Sequence, residues 1–303
     1  MSVTPPAGQP GSPPSATRWL VLVGAVVIQL ILGTVYGYSI FWTPLEEAVF
    51  PPVLTVAERD ERVAAGEPVE SAIVVADAAE QKARRNEHQS RLKYAFGICV
   101  LSFSAVMVFA GRFQDITGPR IPAMLGAVLI GASFLAAGYL TRPGAAGSVY
   151  LLWITIGFLA GAGIGFAYVC PIAALIKWFP AHKGLVSGLA VAGFGFGAYI
   201  FKGGVLLNVG GYPIYGARGF IEQHNILHFF TVHGWVCLIA IIIGALLLRN
   251  PPGLPPKGAG DSSWQQTLAR PAFWVLWLMY FSGSLAGLMV IGITDPFVRD
   301  QLG

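Results

Sequence analysis

The sequence predicts an all-α polytopic membrane protein, and three observations carry that prediction. Hydrophobic residues make up 55% of the 303 positions and charged ones 11%, and 38 are glycine, a balance that suits closely packed membrane helices better than a water-soluble core. Seven apolar stretches approach the ~20 residues that a helix needs to cross the hydrocarbon: 19–42, 94–110, 121–140, 149–176, 184–209, 227–248 and 272–293. Basic residues also alternate between loops. Arg18, Arg112, Arg120, Lys177, Lys183, Arg249, Lys257 and Arg270 fall on one side, opposed only by Asp115 and Asp261. That asymmetry places the N-terminus in the cytoplasm of a multi-pass protein of the cell (plasma or inner) membrane. The net charge of +4 is then a topology signal: the lipid bilayer is the expected partner and nucleic acid is not.

Residues 1–18 contain Pro5, Pro6, Pro10, Pro13 and Pro14 with little to bury, which predicts a disordered cytoplasmic tail. The run from Trp19 exceeds the ~7–15-residue apolar core of a signal peptide and leads into Phe41-Trp42-Thr43-Pro44, so it reads as a retained helix. A six-helix bundle is expected over 19–248, with one large outer loop, 44–93, that holds ten acidic and seven basic residues. Glu80/Arg84 and Glu87/Arg91 are spaced i,i+4 with the acid first, which predicts a solvated helical hairpin extending the second span; a ligand-binding cap is the alternative. Gly157, Gly161 and Gly165 in the fourth span, and Gly184 and Gly188 in the fifth, offer flat faces for close helix contact. Lys177-Trp-Phe-Pro-Ala-His-Lys183 reads as an interfacial anchor and helix stop, with His182 solvated. A cytoplasmic loop over 249–271 and a seventh transmembrane helix within 272–303 complete the chain.

The functional classes narrow in the same way. Cys99, Cys170 and Cys237 fall in three different spans without metal-ligand spacing, so they read as packing residues, and neither metal nor cofactor is expected. Converging His/Asp clusters, a nucleophile–base pair and a phosphate loop are all missing, so catalytic residues are not predicted and the chain does not read as an enzyme. The apolar stretches contain no Asp or Glu. Lys202, near the outer end of the fifth stretch, either offers a cation to an anionic substrate or snorkels to the headgroups. His228 and His233 read as packed residues bonded to neighbouring backbone. Tyr36 and Tyr168 lie mid-span, where each supplies an aromatic wall and one hydroxyl, suited to a small carboxylate or to a neighbouring helix.

Between the second and third stretches lies Gly111-Arg-Phe-Gln-Asp115-Ile-Thr-Gly118-Pro-Arg120, a charged turn. Its Asp115 is placed to accept backbone N–H groups at a helix N-terminus, Gly118 permits a tight turn, and Arg120 anchors the third span. An inert basic turn that only fixes topology is the alternative.

The pattern Gly111-x-x-x-Asp115-x-x-Gly118-x-Arg120 resembles the signature loop of the major facilitator superfamily. Four further stretches resemble the oxalate–formate antiporter family within it: 32–41 with Pro44-Leu45, 161–168, 177–185 followed by 192–197, and 270–274 leading to 287–292. The resemblance implies a major facilitator superfamily-like N-terminal six-helix bundle plus a seventh transmembrane helix, working by alternating access as a carrier of small carboxylate anions. It further implies that Gly111, Asp115, Gly118 and Arg120 gate the inner face, that Tyr36, Tyr168 and Phe194 face a central anion site, and that the main counter-charge lies in the second half, so that this chain offers the tyrosines and, where it faces the cavity, Lys202. Members have twelve spans, so five remain to be supplied in cis or in trans as a missing C-terminal half. Ile116 departs from the pattern where a basic residue is usual, and the outer loop is longer than the family's. A proton-coupled monocarboxylate symporter and a truncated, non-transporting half-carrier are the alternatives.

Overall fold

The structure is a computed structural model that describes residues 15–69, 72–142, 147–202, 208–209, 212–213, 216–252 and 264–302. Among the described residues, six helical stretches are long and apolar enough to cross a membrane: Ala16–Val49, Ala78–Thr117, Arg120–Leu140, Ser148–Trp178, Pro180–Phe201 and Ile226–Leu247. The protein is an all-α polytopic membrane protein.

The first span is not one uniform helix. It begins as α1 (Ser15–Leu32), tightens into a 3-10 segment over Gly33–Phe41, and resumes as α2 (Trp42–Val49). Thr34 Oγ1 donates to the Ile31 carbonyl at 2.7 Å, which competes with the α-helical ladder where the geometry changes. Pro44 is tolerated because it lies in the first turn of α2, where its missing N–H is not required. Residues 15–18, expected in the tail, form the start of α1; residues 1–14 lie outside the described residues.

The segment 44–93 departs from the expected helical hairpin. Strand β1 (Val53–Thr55), helix α3 (Val56–Ala64) and strand β2 (Ile73–Val75) form a small unit in which β1 and β2 pair in parallel, Val53 opposite Ile73. Helix α4 (Ala78–Thr117) then runs 40 residues from this unit through the second span. Glu87 and Arg91 pair at 2.8 Å as the spacing predicts. Glu80 instead caps the helix start, its carboxylate accepting from the Ala76 N–H at 3.2 Å and its own N–H donating to Asp77 Oδ1 at 2.8 Å.

The third span is α5 (Arg120–Leu140). The fourth is compound: α6 (Ser148–Leu152), a π-helical segment over Trp153–Leu159, and α7 (Ala160–Trp178). After a short 3-10 turn, α8 (Lys183–Lys202) forms the fifth span. It stops short of residue 209, because Asn208–Val209 (β3) pairs antiparallel with Tyr212–Pro213 (β4). Helix α9 (Ala217–His224) precedes the sixth span, α10 (Ile226–Leu247). Residues 14–250 form one compact unit; α11 (Trp264–Leu268) and α12 (Pro271–Leu302), which contains the seventh apolar stretch, belong to another.

Helices cross where glycines meet. A Cβ placed on Gly24 would lie 2.7 Å from the Gly244 carbonyl, and one on Gly126 would lie 2.6 Å from that of Gly163, so α1 with α10 and α5 with α7 approach at backbone contact. The expected glycine face of the fourth span is turned to α4: Gly157 abuts Ile98, Gly161 abuts the Cys99 backbone, and Gly165 abuts Phe103 and Val106. Gly184 and Gly188 of α8 have open space where the sequence predicts a contact face.

Two outcomes follow from these contacts. Gly161→Ala should lower the unfolding free energy in detergent by about 1–3 kcal/mol through overpacking, while Gly184→Ala should leave it unchanged; thermal denaturation of the two variants side by side distinguishes them. In the outer unit, Thr55 and Glu58 form a capping box and Gln81 of α4 donates to the same carboxylate at 2.6 Å. These bonds, the Thr55 backbone N–H first, hold the Glu58 carboxyl below its ordinary range. Because the folded pKa is depressed, this contribution is complete above the ordinary carboxylate pKa and is lost as pH falls through the lowered one. Hydrogen exchange of 56–64 should therefore accelerate in that acidic window, and Glu58→Gln should remove the dependence.

Candidate functional site

The 3-10 segment of the first span turns Tyr36 toward α8, where its ring meets Phe194 edge-on at a centroid distance of 5.0 Å. Phe194 meets Tyr168 of α7 in the same way at 5.2 Å, and Tyr168 meets Phe103 of α4 at 5.3 Å. Phe194 is buried, whereas both tyrosines are half-buried. The three aromatic residues singled out in the sequence thus come from three spans into one continuous cluster. Glycine makes the approach possible: Gly33 lies against the Phe194 backbone and Gly197, one turn on, against the Leu30 backbone, so neither position has room for a Cβ. Edge-to-face rings present alternating electropositive edges and apolar faces, a surface suited to a flat carboxylate.

Behind the cluster lies a polar residue that hydropathy alone conceals. Gln29 of α1 is fully buried; its Nε2 donates to the Tyr168 carbonyl at 3.4 Å, and its Oε1 has no hydrogen-bond partner among the described residues. A lone amide in the apolar run 19–32 was the available signal. On the other side of the 3-10 segment, Thr34, Tyr38, His233 and Cys237 line a cavity of about 20 Å³, room for roughly one water. His233 Nε2 lies 3.4 Å from Thr34 Oγ1 and 3.3 Å from Cys237 Sγ, so side chains rather than the expected neighbouring backbone meet that nitrogen. His228 is exposed and stacks with Phe220.

At the opposite end, the third and fourth spans gather around the terminus of α10. Arg120 Nε donates to the Leu248 carbonyl, Trp178 Nε1 to the Arg249 carbonyl at 2.6 Å, and Lys177 Nζ to Asn250 Oδ1 at 3.3 Å. Trp178 is buried, so the expected interfacial anchor is a helix-end clamp instead. Gly118 adopts φ +83°, the left-handed region, and its N–H closes α4 onto the Gln114 carbonyl at 2.8 Å. Asp115 is exposed in the last turn of α4, and a Cβ on Gly111 would meet open space.

Comparison with protein families matches residues 85–303 to the Major Facilitator Superfamily. The chain belongs to the major facilitator superfamily. Similar proteins include the uncharacterized MFS-type transporter YhjX of Escherichia coli, 25% identical over 93% of this chain and 58% of that protein. The oxalate:formate antiporter of Oxalobacter formigenes is 30% identical over 62% of this chain and 42% of its own length. Human monocarboxylate transporter 14 is 27% identical over 57% and 31% respectively. The chain spans about half the length of the first two relatives.

Within this superfamily member, the loop residues divide by contact. Arg120 ties the start of α5 to the end of α10, and Gly118 shapes the turn, while Gly111 and Asp115 face outward. Lys202 closes α8, and its side chain lies outside the described residues. Glu46 adds a buried acid that the apolar stretches do not contain: it sits on α2, beyond the expected end of the first span, and accepts from Gln89 Nε2 at 2.9 Å. Among the described residues no Lys or Arg is buried. The Arg120 clamp is testable by thermal unfolding in detergent. Arg120→Gln should cost about 1.5–3 kcal/mol by freeing a helix-end carbonyl from a charged donor, and Arg120→Lys should restore part of the loss.

Proposed function

We propose that this chain forms the N-terminal bundle of a secondary carrier of small carboxylate anions that works by alternating access, with oxalate/formate-type exchange as the activity. The observation that carries this reading is the Tyr36–Phe194–Tyr168 cluster: half-buried tyrosines on both sides of a buried ring, at the meeting of the first, fourth and fifth spans. Irregular helix at membrane depth belongs where it lines a site or a moving joint, and the first and fourth spans both carry such segments. The names of two relatives support carboxylates as the substrate class, since one is an oxalate:formate antiporter and another a monocarboxylate transporter.

On this reading Tyr36 and Tyr168 hold the carboxylate by their hydroxyls and ring edges, and Phe194 is the wedge that sets their spacing. Lys202 supplies positive charge from this half, and the main counter-charge comes from the C-terminal half. Gly111, Asp115, Gly118 and Arg120 form the inner gate, with the N-terminus on the cytoplasmic side. Transport, rather than catalysis, is the activity.

Counterflow of labelled oxalate against formate in proteoliposomes of the complete carrier tests this directly. Phe194→Ala should raise the half-saturation concentration about tenfold by loosening both tyrosines. Lys202→Gln should also weaken the apparent affinity, and Asp115→Asn should slow exchange while insertion stays normal. Absence of saturable carboxylate counterflow by the wild-type carrier would refute the reading.

A further inference from the structure

A second cavity lies at the end of the bundle that carries the segment 44–93, and none of Tyr36, Tyr168 and Phe194 lines it. Its volume is about 580 Å³, within the ~300–1,000 Å³ typical of small-molecule sites. Phe50 and His88 form one wall, their rings stacked at 4.0 Å and nearly parallel. Trp153 also lines it, and its ring meets those of Tyr94 and Tyr150 in T-shaped pairs at 5.8 and 5.2 Å. Trp153 is fixed by donating Nε1 to the Arg91 carbonyl at 2.9 Å, which ties the π-helical segment of the fourth span to the backbone of α4 at a second residue that lines the cavity.

The polar groups of this cavity point to the charge of its ligand. Arg91 lines it, and its guanidinium is engaged only by Glu87 among the described residues, in a half-exposed pair. A solvated pair of that kind is worth roughly 0–1 kcal/mol, so an entering anion can displace it at small cost. His88 is buried, and its Nδ1 has no hydrogen-bond partner among the described residues; the Glu46 carboxylate stands 4.0 Å away. Two flat aromatic walls with a displaceable guanidinium match an anion that carries a flat apolar body. Oxalate and formate lack such a body and would leave most of the volume unfilled.

We propose that this cavity binds an aryl carboxylate, with the carboxylate on Arg91 and the ring between the Phe50–His88 stack and Trp153. The site is separate from the Tyr36–Phe194–Tyr168 cluster, and the binding claim does not rest on the transport reading.

Equilibrium dialysis of labelled benzoate against the purified protein in neutral detergent tests it. Saturable binding is expected, about tenfold weaker in Arg91→Gln, partly restored in Arg91→Lys, unchanged in Phe194→Ala, and not competed by benzyl alcohol. Thermal unfolding of Arg91→Gln should match wild type, since the pair it breaks is solvated. Three results would overturn the proposal: no saturable benzoate binding; binding that Phe194→Ala weakens and Arg91→Gln does not, which would assign the ligand to the central cluster; or displacement of benzoate by micellar phosphatidylglycerol at matched anion concentration, which would make the occupant a lipid headgroup.

Discussion

Apolar side chains gain almost nothing by leaving lipid for protein, so a membrane bundle must hold together by close packing and hydrogen bonds. In this chain that constraint is met by backbone contact at glycine. Gly24 with Gly244 and Gly126 with Gly163 bring helices together with no side chain between them. The same device at Gly33 and Gly197 presses α8 onto the first span, and the aromatic cluster follows from it. With α8 a few ångströms farther out, Phe194 would not reach Tyr36 and Tyr168 at once. Packing and site are therefore one arrangement.

The irregular segments add the second half of this coupling. The 3-10 stretch Gly33–Phe41 faces two environments: Tyr36 points to the cluster, while Thr34 and Tyr38 line a small, mostly apolar cavity with His233. A regular α-helix would change the angular spacing of these three residues. The π-helical stretch in the fourth span does similar work at the other end, aiming Trp153 at α4 ahead of the glycine face that packs against the same helix. At the far end of α10, Arg120, Trp178 and Lys177 close carbonyl and amide groups that would otherwise be orphaned. The signature loop is thus part of the bundle's closure as well as its candidate gate.

The spans themselves were legible because a bilayer imposes a length and an apolar composition that few other structures share. Tyr36, Tyr168 and Phe194 were legible through resemblance, and the structure brings them into contact. What hydropathy cannot register is the pitch of an apolar helix: with every face lipophilic, the run 19–42 carries no periodic signal to mark where α gives way to 3-10 geometry. The β1–α3–β2 unit was hidden because its strands have only three residues each, and the alternating charges around them favour a helical reading. Trp178 looked interfacial, since its partner, the Arg249 carbonyl, is 71 residues away in sequence. Gln29 carries no charge to mark it in the apolar run, although an amide there must find partners as a charge must.

The central claim is that the glycine-set cluster is where a carboxylate binds, and solute protection of a single thiol tests it most directly. Cys99, Cys170 and Cys237 are buried and free, so a background lacking them can carry Phe194→Cys alone in the complete carrier. Oxalate or formate should slow alkylation at position 194 by N-ethylmaleimide in a saturable way, at the roughly tenfold higher concentrations that loss of the Phe194 ring requires, while a neutral amide of the same size should not. An alkylation rate indifferent to every carboxylate tested would contradict the account.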